Sequence, residues 1–489
     1  MAQAAVFFVR TFICAVVASL ALAGNAFADL QIGVADDLGL EADRSAWFFD
    51  SLGDVGMQEN RVSVPFDASA PTTIQNQMAL DAYVPLATLR GLRVVFSVAP
   101  SKARAMSENP GAVEQYADYV ALLARTYPTV TDFIVGNEPN QPRFWQPQFS
   151  RSGQNVSAAA YYGMLAAAYD ELKGVDPALR VVGVGLSPRG GDKPNAANNV
   201  STSPVRFLNA LGKAYRRSGR TKPIMDELAF HPYPDNDRDD LMKGYRWPNA
   251  GVPNLGRIKQ AFWDAFHGTG QPTFGEGRSR GNLTFRLDEL GWQVDVVTAA
   301  TTSYYGRENV QPTDERSQAR IYGDAVRFLA CDVSVRSILF FLLRDEADLD
   351  RWQAGLMRAD GSPRPSYDAV KAAFAETNGR CAGAVRSWRH STTVDGAKLT
   401  FPRNRVLPAR RLTLALVANA QEDAVVDAAL YRGSRRVLRQ RSTVAAYRSR
   451  IVRFSTRFRP GRYTFRVTLR AAMNPARSAS FSAPLRVTR

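Results

Sequence analysis

Histidine and cysteine are scarce in this chain, three of each in 489 residues. No CxxC or HExxH spacing occurs, so the close donor pairs of a zinc site are missing, and neither a metal nor a cofactor is expected. Cys14 lies in the N-terminal apolar stretch. Cys331 and Cys381 remain, and they form either one disulfide or two separate buried thiols, because sequence does not give their distance. Long apolar runs are also missing after Leu22, so no membrane-spanning segment is expected in the mature chain. The one early run, Thr11 to Leu22, comes after Arg10 and precedes Ala26-Phe27-Ala28, a small-x-small pattern. It reads as a signal peptide over residues 1–28, with a single-pass anchor as the alternative. The mature protein is then expected from Asp29 onward, and outside the cytoplasm: secreted, or in the periplasm or cell envelope.

Acidic residues run short at the other end. Residues 381–489 hold 23 Lys and Arg against 4 Asp and Glu, whereas residues 29–380 carry a net charge of −4. The formal charge of +16 therefore belongs to the C-terminal part. Such a region either holds an anionic partner or is a solvated arginine-rich surface. In an exported chain the partner expected is an anionic cell-envelope surface or polymer, and no nucleic acid.

A phosphate-binding glycine turn is missing too. The first apolar strand, Leu30 to Ala35, ends in Asp36-Asp37, which argues against a doubly wound nucleotide-binding sheet. Beyond Asp37 the chain alternates regularly. Strand-like runs at Asn60–Val64, Arg93–Val98, Phe133–Val135, Arg180–Leu186, Ile224–Phe230, Thr284–Leu287 and Val335–Leu343 alternate with helical patterns such as Gly111–Arg125 and Glu315–Ala330. Eight such repeats predict an α/β fold, a (β/α)8 barrel over residues 29–385. Beyond Cys381 the helical period disappears. Short strands at Leu412–Val417, Ala424–Tyr431, Arg450–Phe454, Tyr463–Leu469 and Ser480–Val487 predict a small antiparallel β-sandwich over residues 390–489.

The chemistry gathers at strand ends, where a barrel of this kind keeps its catalytic groups. The fourth strand, in TDFIVGNEPNQ (Thr131–Gln141), stops at Gly136 and delivers Asn137 and Glu138 before Pro139. The seventh ends in Asp288 and Glu289. Strands four and seven lie across the barrel from each other, so the two glutamates can flank one bond. Paired carboxyl groups roughly 5–5.5 Å apart suit glycoside cleavage with retention.

GNEPN at Gly136–Asn140, HPYP at His231–Pro234 and DELGW at Asp288–Trp292 occur in that order. In these motifs the chain resembles the clan A glycoside hydrolases, the retaining "4/7" superfamily. The run Tyr161–Gly185, YYGMLAAAYDELKGVDPALRVVGVG, is most similar to family 39, which includes β-xylosidases; family 5 is less similar. The likeness covers the barrel but not the C-terminal module. It implies a secreted retaining hydrolase acting on a β-linked oligo- or polysaccharide, with Glu138 as general acid/base and Glu289 as nucleophile. It also implies Asn137 on the sugar 2-hydroxyl, Tyr233 donating to Glu289, His231 on the floor of the site, and Arg61 near the nucleophile. Trp145, Trp292 and Trp352 are candidates to stack on sugar faces. Two departures stand out. The eighth strand ends Phe340-Phe341-Leu342-Leu343 where many clan members place tryptophan, which leaves Trp352 to substitute; and the third ends Ser97-Val98-Ala99-Pro100, without the histidine of family 5. A non-catalytic carbohydrate-binding or envelope protein on the same barrel is the alternative.

Overall fold

The computed structural model describes residues 29–489, apart from the side chains of residues 298–300. The signal-peptide expectation for residues 1–28, with Cys14, lies outside the described residues. Eight parallel strands pair in chain order and close into a barrel: β1 (Gln31–Ala35), β2 (Glu59–Phe66), β3 (Arg93–Pro100), β4 (Asp132–Val135), β5 (Arg180–Leu186), β6 (Glu227–Phe230), β7 (Thr284–Leu290) and β8 (Val335–Phe340). β8 returns to β1 through Ile32 opposite Ile338 and Val34 opposite Phe340. Around them lie α1 (Ser45–Val55), α2 (Gln77–Leu89), the short α3 (Ala105–Glu108), α4 (Ala112–Thr126), α5 (Ser157–Val175), α6 (Pro204–Ser218), α7 (Leu255–Phe266), α8 (Glu315–Ala330) and α9 (Pro365–Thr377). Parallel strands covered on both faces need continuous apolar sequence, and all four residues of β4 are buried accordingly. The helices turn one stripe inward; on α4 it is Tyr116, Tyr119, Val120 and Leu123.

Several strand ends differ from expectation, each for a local reason. The sixth strand begins at Glu227 rather than Ile224, because the Ile224 and Met225 amides donate to the Gln271 side chain at 2.8 and 3.2 Å instead of joining the ladder. The eighth stops at Phe340 rather than Leu343. The Leu343 amide donates to the Asp36 carboxylate at 2.9 Å and leaves the sheet. The seventh runs on to Leu290, so Asp288 and Glu289 are still in extended strand.

The N-terminal mouth of the barrel is filled by charge. Glu59, Asp132 and Glu227 open β2, β4 and β6, and all three accept from Arg286 of β7, at 2.7, 2.5 and 3.0 Å. The Arg286 side chain is wholly buried. Above it Val95, Ile134, Val182 and Ala229 form a small apolar layer. Side-chain layers therefore plug the barrel and leave only its C-terminal end for a site.

The C-terminal part is a two-sheet sandwich. Its strands are β9 (Lys398–Thr400), β10 (Val406–Pro408), β11 (Arg411–Asn419), β12 (Ala424–Arg432), β13 (Arg435–Val444), β14 (Arg450–Arg457), β15 (Gly461–Ala471) and β16 (Ser478–Thr488). One sheet has the order β10-β16-β15-β12-β13 and the other β14-β11-β9. Leu416, Val426, Leu430, Phe454, Phe465 and Leu469 fill the space between them. β10 runs parallel to β16, where the sequence pattern predicts antiparallel pairing throughout.

Cys331 and Cys381 form a disulfide that ties the segment after α9 to the end of α8. Barrel and sandwich share polar bonds. Arg477, 6% exposed, donates to Asp264 of α7 at 2.9 Å and to Glu422 at 2.6 Å. Arg206 of α6 donates to Asp423 at 2.8 Å, and His390 bonds Glu276.

Candidate active site

The β4 exit is built by backbone conformation. Gly136 has a φ of +79°, and a side chain there would meet the Tyr161 ring at 3.0 Å, so glycine is required. Glu138 has a φ of +38°, a left-handed conformation uncommon outside glycine and costing on the order of 1 kcal/mol. It is held there by its own amide, which donates to the Gly185 carbonyl at 2.9 Å. β5 bulges at that point, with Val184 and Gly185 also at positive φ. Asn140 pins the far side of the loop, donating to the Ser187 and Thr202 carbonyls and accepting from the Ser187 amide. The last residue of the GNEPN motif thus fixes the loop rather than facing the cleft.

Six residues singled out in the sequence meet at this end. Glu289 is held by two donors, Arg61 at 2.7 Å on one carboxylate oxygen and Tyr233 at 2.9 Å on the other. Arg61 also donates to the Asn137 side-chain oxygen and to Ser97, each at 2.9 Å. His231, fully buried, has Nδ1 3.0 Å from Glu138 and Nε2 3.2 Å from Asp288. One oxygen of Glu138 and one of Glu289 lie within 4.8 Å of each other and of the His231 ring. A metal accepts such spacing, but a cation here would compete with the Arg61 guanidinium, which already bonds Glu289 at 2.7 Å.

Burial pushes the Glu138 carboxyl above the ordinary glutamate range. The hydrogen bond and charge of His231 oppose that rise, and Glu289 and Asp288 add to it. For His231 burial alone disfavours the imidazolium, yet Glu289, Asp288 and the hydrogen bonds to Asp288 and Glu138 outweigh it, and its pKa lies well above normal. Burial would likewise raise Asp288, but His231 and Arg61 hold it below the usual range.

The tryptophans divide. Trp352 is part-buried and packs at 5.0 Å from the Tyr233 ring and 5.4 Å from Phe341, bordering the site. Trp145 and Trp292 correct the expectation of sugar-stacking faces. Trp145 is 3% exposed and packs edge-on against Tyr161, and Trp292 is 2% exposed with its indole N–H donating to the Asp239 carbonyl. Both rings are spent on packing, which is where large aromatics next to strand ends gain the most.

Three residues without an assigned role also belong here. Asp288 carries His231 on one side and stands 3.5 Å from Arg61 Nε on the other. Ser97, on β3, accepts from Arg61 at 2.9 Å. Asp37 lines a cavity of about 670 Å³ together with Arg61, Ser63, Tyr305, Phe341 and Arg344. The available signal was position: Asp37 and Asp288 end strands, as Glu289 does. Asp36 beside it is structural. Burial pushes its carboxyl up to about 6, and it accepts from the Leu38, Leu343 and Arg344 amides.

No protein-family model matches this chain, and no curated protein does. The chain is similar to several solved structures. A family 39 glycoside hydrolase from Bacteroides cellulosilyticus WH2 is 14% identical over 87% of this chain and 81% of that one, with a TM-score of 0.48. A glucosidase from Croceicoccus marinus is 14% identical over 88% and 94%, with a TM-score of 0.47. A monomeric β-xylosidase from Caulobacter crescentus CB15 is 16% identical over 91% and 96%, with a TM-score of 0.45.

Proposed function

We propose that this chain is an exported glycoside hydrolase that cleaves a β-linked glycan with retention of configuration. The observation that carries the reading is the pair Glu138 and Glu289, with carboxylate oxygens within 4.8 Å at the open end of the barrel. That spacing leaves room for a sugar carbon between them but not for an additional attacking water, which is the retaining arrangement. Glu289, oriented by Arg61 and Tyr233, attacks the anomeric carbon. Glu138 gives its proton to the departing oxygen, and burial, which raises its pKa, favours the protonated form that does so. A covalent glycosyl-enzyme results. Glu138, now a carboxylate, takes a proton from water, which displaces the sugar from Glu289. The amide nitrogen of Asn137 is placed to donate to the 2-hydroxyl, a contact that tightens in the transition state. A cavity of about 670 Å³ opens on the other side of Arg61, lined by Asp37, Ser63 and Phe341 and by neither glutamate. Export rests on the pattern of residues 1–28; among the described residues no helix is long and apolar enough to cross a membrane.

The test is hydrolysis of an aryl β-glycoside panel by the full chain and by Glu138→Gln and Glu289→Gln. Each variant should lose turnover with an unchanged melting temperature, and NMR of the first-formed product should show the β-anomer. Unchanged activity in either variant, or the α-anomer, would refute the mechanism. Glycan binding with no turnover on any substrate would support the non-catalytic alternative.

A further inference from the structure

The outward face of the five-stranded sheet is an arginine surface whose membership the strand register fixes. Ala424, Val426, Ala428 and Leu430 of β12 point into the core, so Val425, Asp427, Ala429 and Tyr431 point out. Their partners share that face. Opposite Asp427, Ala429 and Tyr431 on β13 stand Arg441, Arg439 and Arg436. Opposite Val425 and Ala429 on β15 stand Arg470 and Arg466. Two residues further along β15, beyond Thr464, Arg462 faces Arg486 of β16. Seven arginines thus share one sheet face with a single acid, Asp427.

Only part of this charge is used internally. Arg439 bonds Asp427, Arg470 stands 4.0 Å from it, and Arg466 lies over the Tyr431 ring at 4.6 Å. Among the described residues the side chains of Arg436, Arg441, Arg462 and Arg486 have no hydrogen bond or ion pair. Arg462 directly opposite Arg486 is a like-charge pair, a destabilising choice for a sheet. Between the arginines the face is small and hydroxylated: Ala429, Thr468, Ser480 and Ser482. A cleft of about 380 Å³ opens on it, lined by Arg439, Arg441, Arg470, Val425 and Pro475.

We infer that this face docks an extended anionic polysaccharide, one carrying carboxylate or sulfate groups along its length. The arginines stand on three strands, β13, β15 and β16, and recur every fourth residue along β15, so they match a linear polyanion rather than one anion. The guanidinium fork pairs such oxygens two at a time, and the serine and threonine hydroxyls meet sugar hydroxyls. Other polyanions fit less well. The sole aromatic on the face, Tyr431, is covered by Arg466, so no ring is free to stack on a base. No cluster of apolar side chains stands ready to enter a bilayer. The inference does not rest on the proposed hydrolysis.

The experiment measures binding of the full chain to polygalacturonate, with its fully methyl-esterified, uncharged form alongside. The quadruple variant Arg436→Gln, Arg441→Gln, Arg462→Gln, Arg470→Gln is compared with Arg411→Gln, Arg453→Gln, Arg457→Gln on the opposite sheet, both checked for an unchanged melting temperature. Expected are binding of the charged polymer only, affinity falling as salt rises, a loss of roughly tenfold or more in the quadruple variant, and little change in the triple one. The inference is overturned if the quadruple variant binds as the parent does, or if the triple variant loses as much, which would make net charge the cause. It is overturned as well if phosphatidylserine vesicles or duplex DNA bind as tightly as the polymer at the same salt.

Discussion

Replacing Arg286 by methionine tests the charged plug of the barrel. The guanidinium is wholly buried and bonds three carboxylates, of Glu59, Asp132 and Glu227. Two of these keep other partners: Arg93 reaches Glu59 at 2.8 Å, and Arg180 and Arg336 reach Glu227 at 3.1 and 3.2 Å. Asp132 keeps only the Thr131 hydroxyl at 2.7 Å, so the loss concentrates on that residue. Removing one partner from a buried ion pair costs about 3–5 kcal/mol. For a cooperative unit of about 350 residues, a loss of about 4 kcal/mol lowers the melting temperature by roughly 5 °C. Adding Asp132→Asn removes the stranded charge and should restore at least half. The pH dependence has a definite sign. Arg286 opposes burial and holds Asp132 below the ordinary range, so in the parent this stability is present above the unfolded pKa and is lost as pH falls through the folded one. In Arg286→Met the strongest influence opposing burial is gone, with the Thr131 hydroxyl and the charges of Arg336 and Arg93 remaining, so the folded pKa rises and the variant should recover relative to the parent as pH falls. The assay is guanidinium denaturation followed by tryptophan fluorescence at several pH values. A loss under about 1 kcal/mol, or further destabilisation on adding Asp132→Asn, would refute the reasoning.

The site and its frame lead to further outcomes. Tyr233→Phe removes a 2.9 Å hydrogen bond to Glu289, worth about 1.5–3 kcal/mol to a charged acceptor, so kcat/KM should fall roughly 10- to 100-fold with the melting temperature unchanged. A fall of less than twofold would remove Tyr233 from the positioning of the nucleophile. The alkaline limb of the kcat/KM profile should report loss of the Glu138 proton, and because His231 holds that pKa down, His231→Asn should move the limb to higher pH; a fixed limb, or a shift to lower pH, refutes the assignment. The disulfide closes 50 residues, so Cys331→Ser with Cys381→Ser should lower stability by about 4 kcal/mol on the loop-entropy scale, read as a shift in denaturation midpoint.

What the sequence discloses tracks the physics of each element. Parallel strands buried on both sides write themselves as apolar runs, and Phe133–Val135 shows this in β4. The strand-end residues Asn137, Glu138, Asp288 and Glu289 are legible because barrel geometry gives that position meaning. β13 is not. Its sequence, RRVLRQRSTV, belongs to an edge strand with nine of ten residues exposed or half-exposed, so it shows little of the alternation that marks a strand. The charged plug is also hidden. Glu59 and Arg286 lie 227 residues apart in the chain, and no local pattern announces a bond of that separation. The place of Trp145 and Trp292 close to Glu138 and Glu289 in the chain points them toward the cleft, but proximity along the chain does not say which way a ring turns. The boundaries of strands six and eight are settled by the side chains of Gln271 and Asp36, which capture backbone amides from other parts of the fold.

The Arg477 clamp bears on how the chain is assembled and how it can be divided. The arginine sits just before the last strand, yet its two carboxylates belong to the seventh barrel helix and to the start of β12. During synthesis the barrel can close while Asp264 still faces water, and Asp264 and Glu422 gain their shared cation only when the end of the chain arrives. A product truncated before Arg477 would keep a nearly complete barrel but present bare carboxylates and the apolar flank of α7 where the sandwich should sit. Such fragments would expose surface prone to aggregation or proteolysis, so the Arg477 bonds couple completion of the sandwich to protection of the barrel flank.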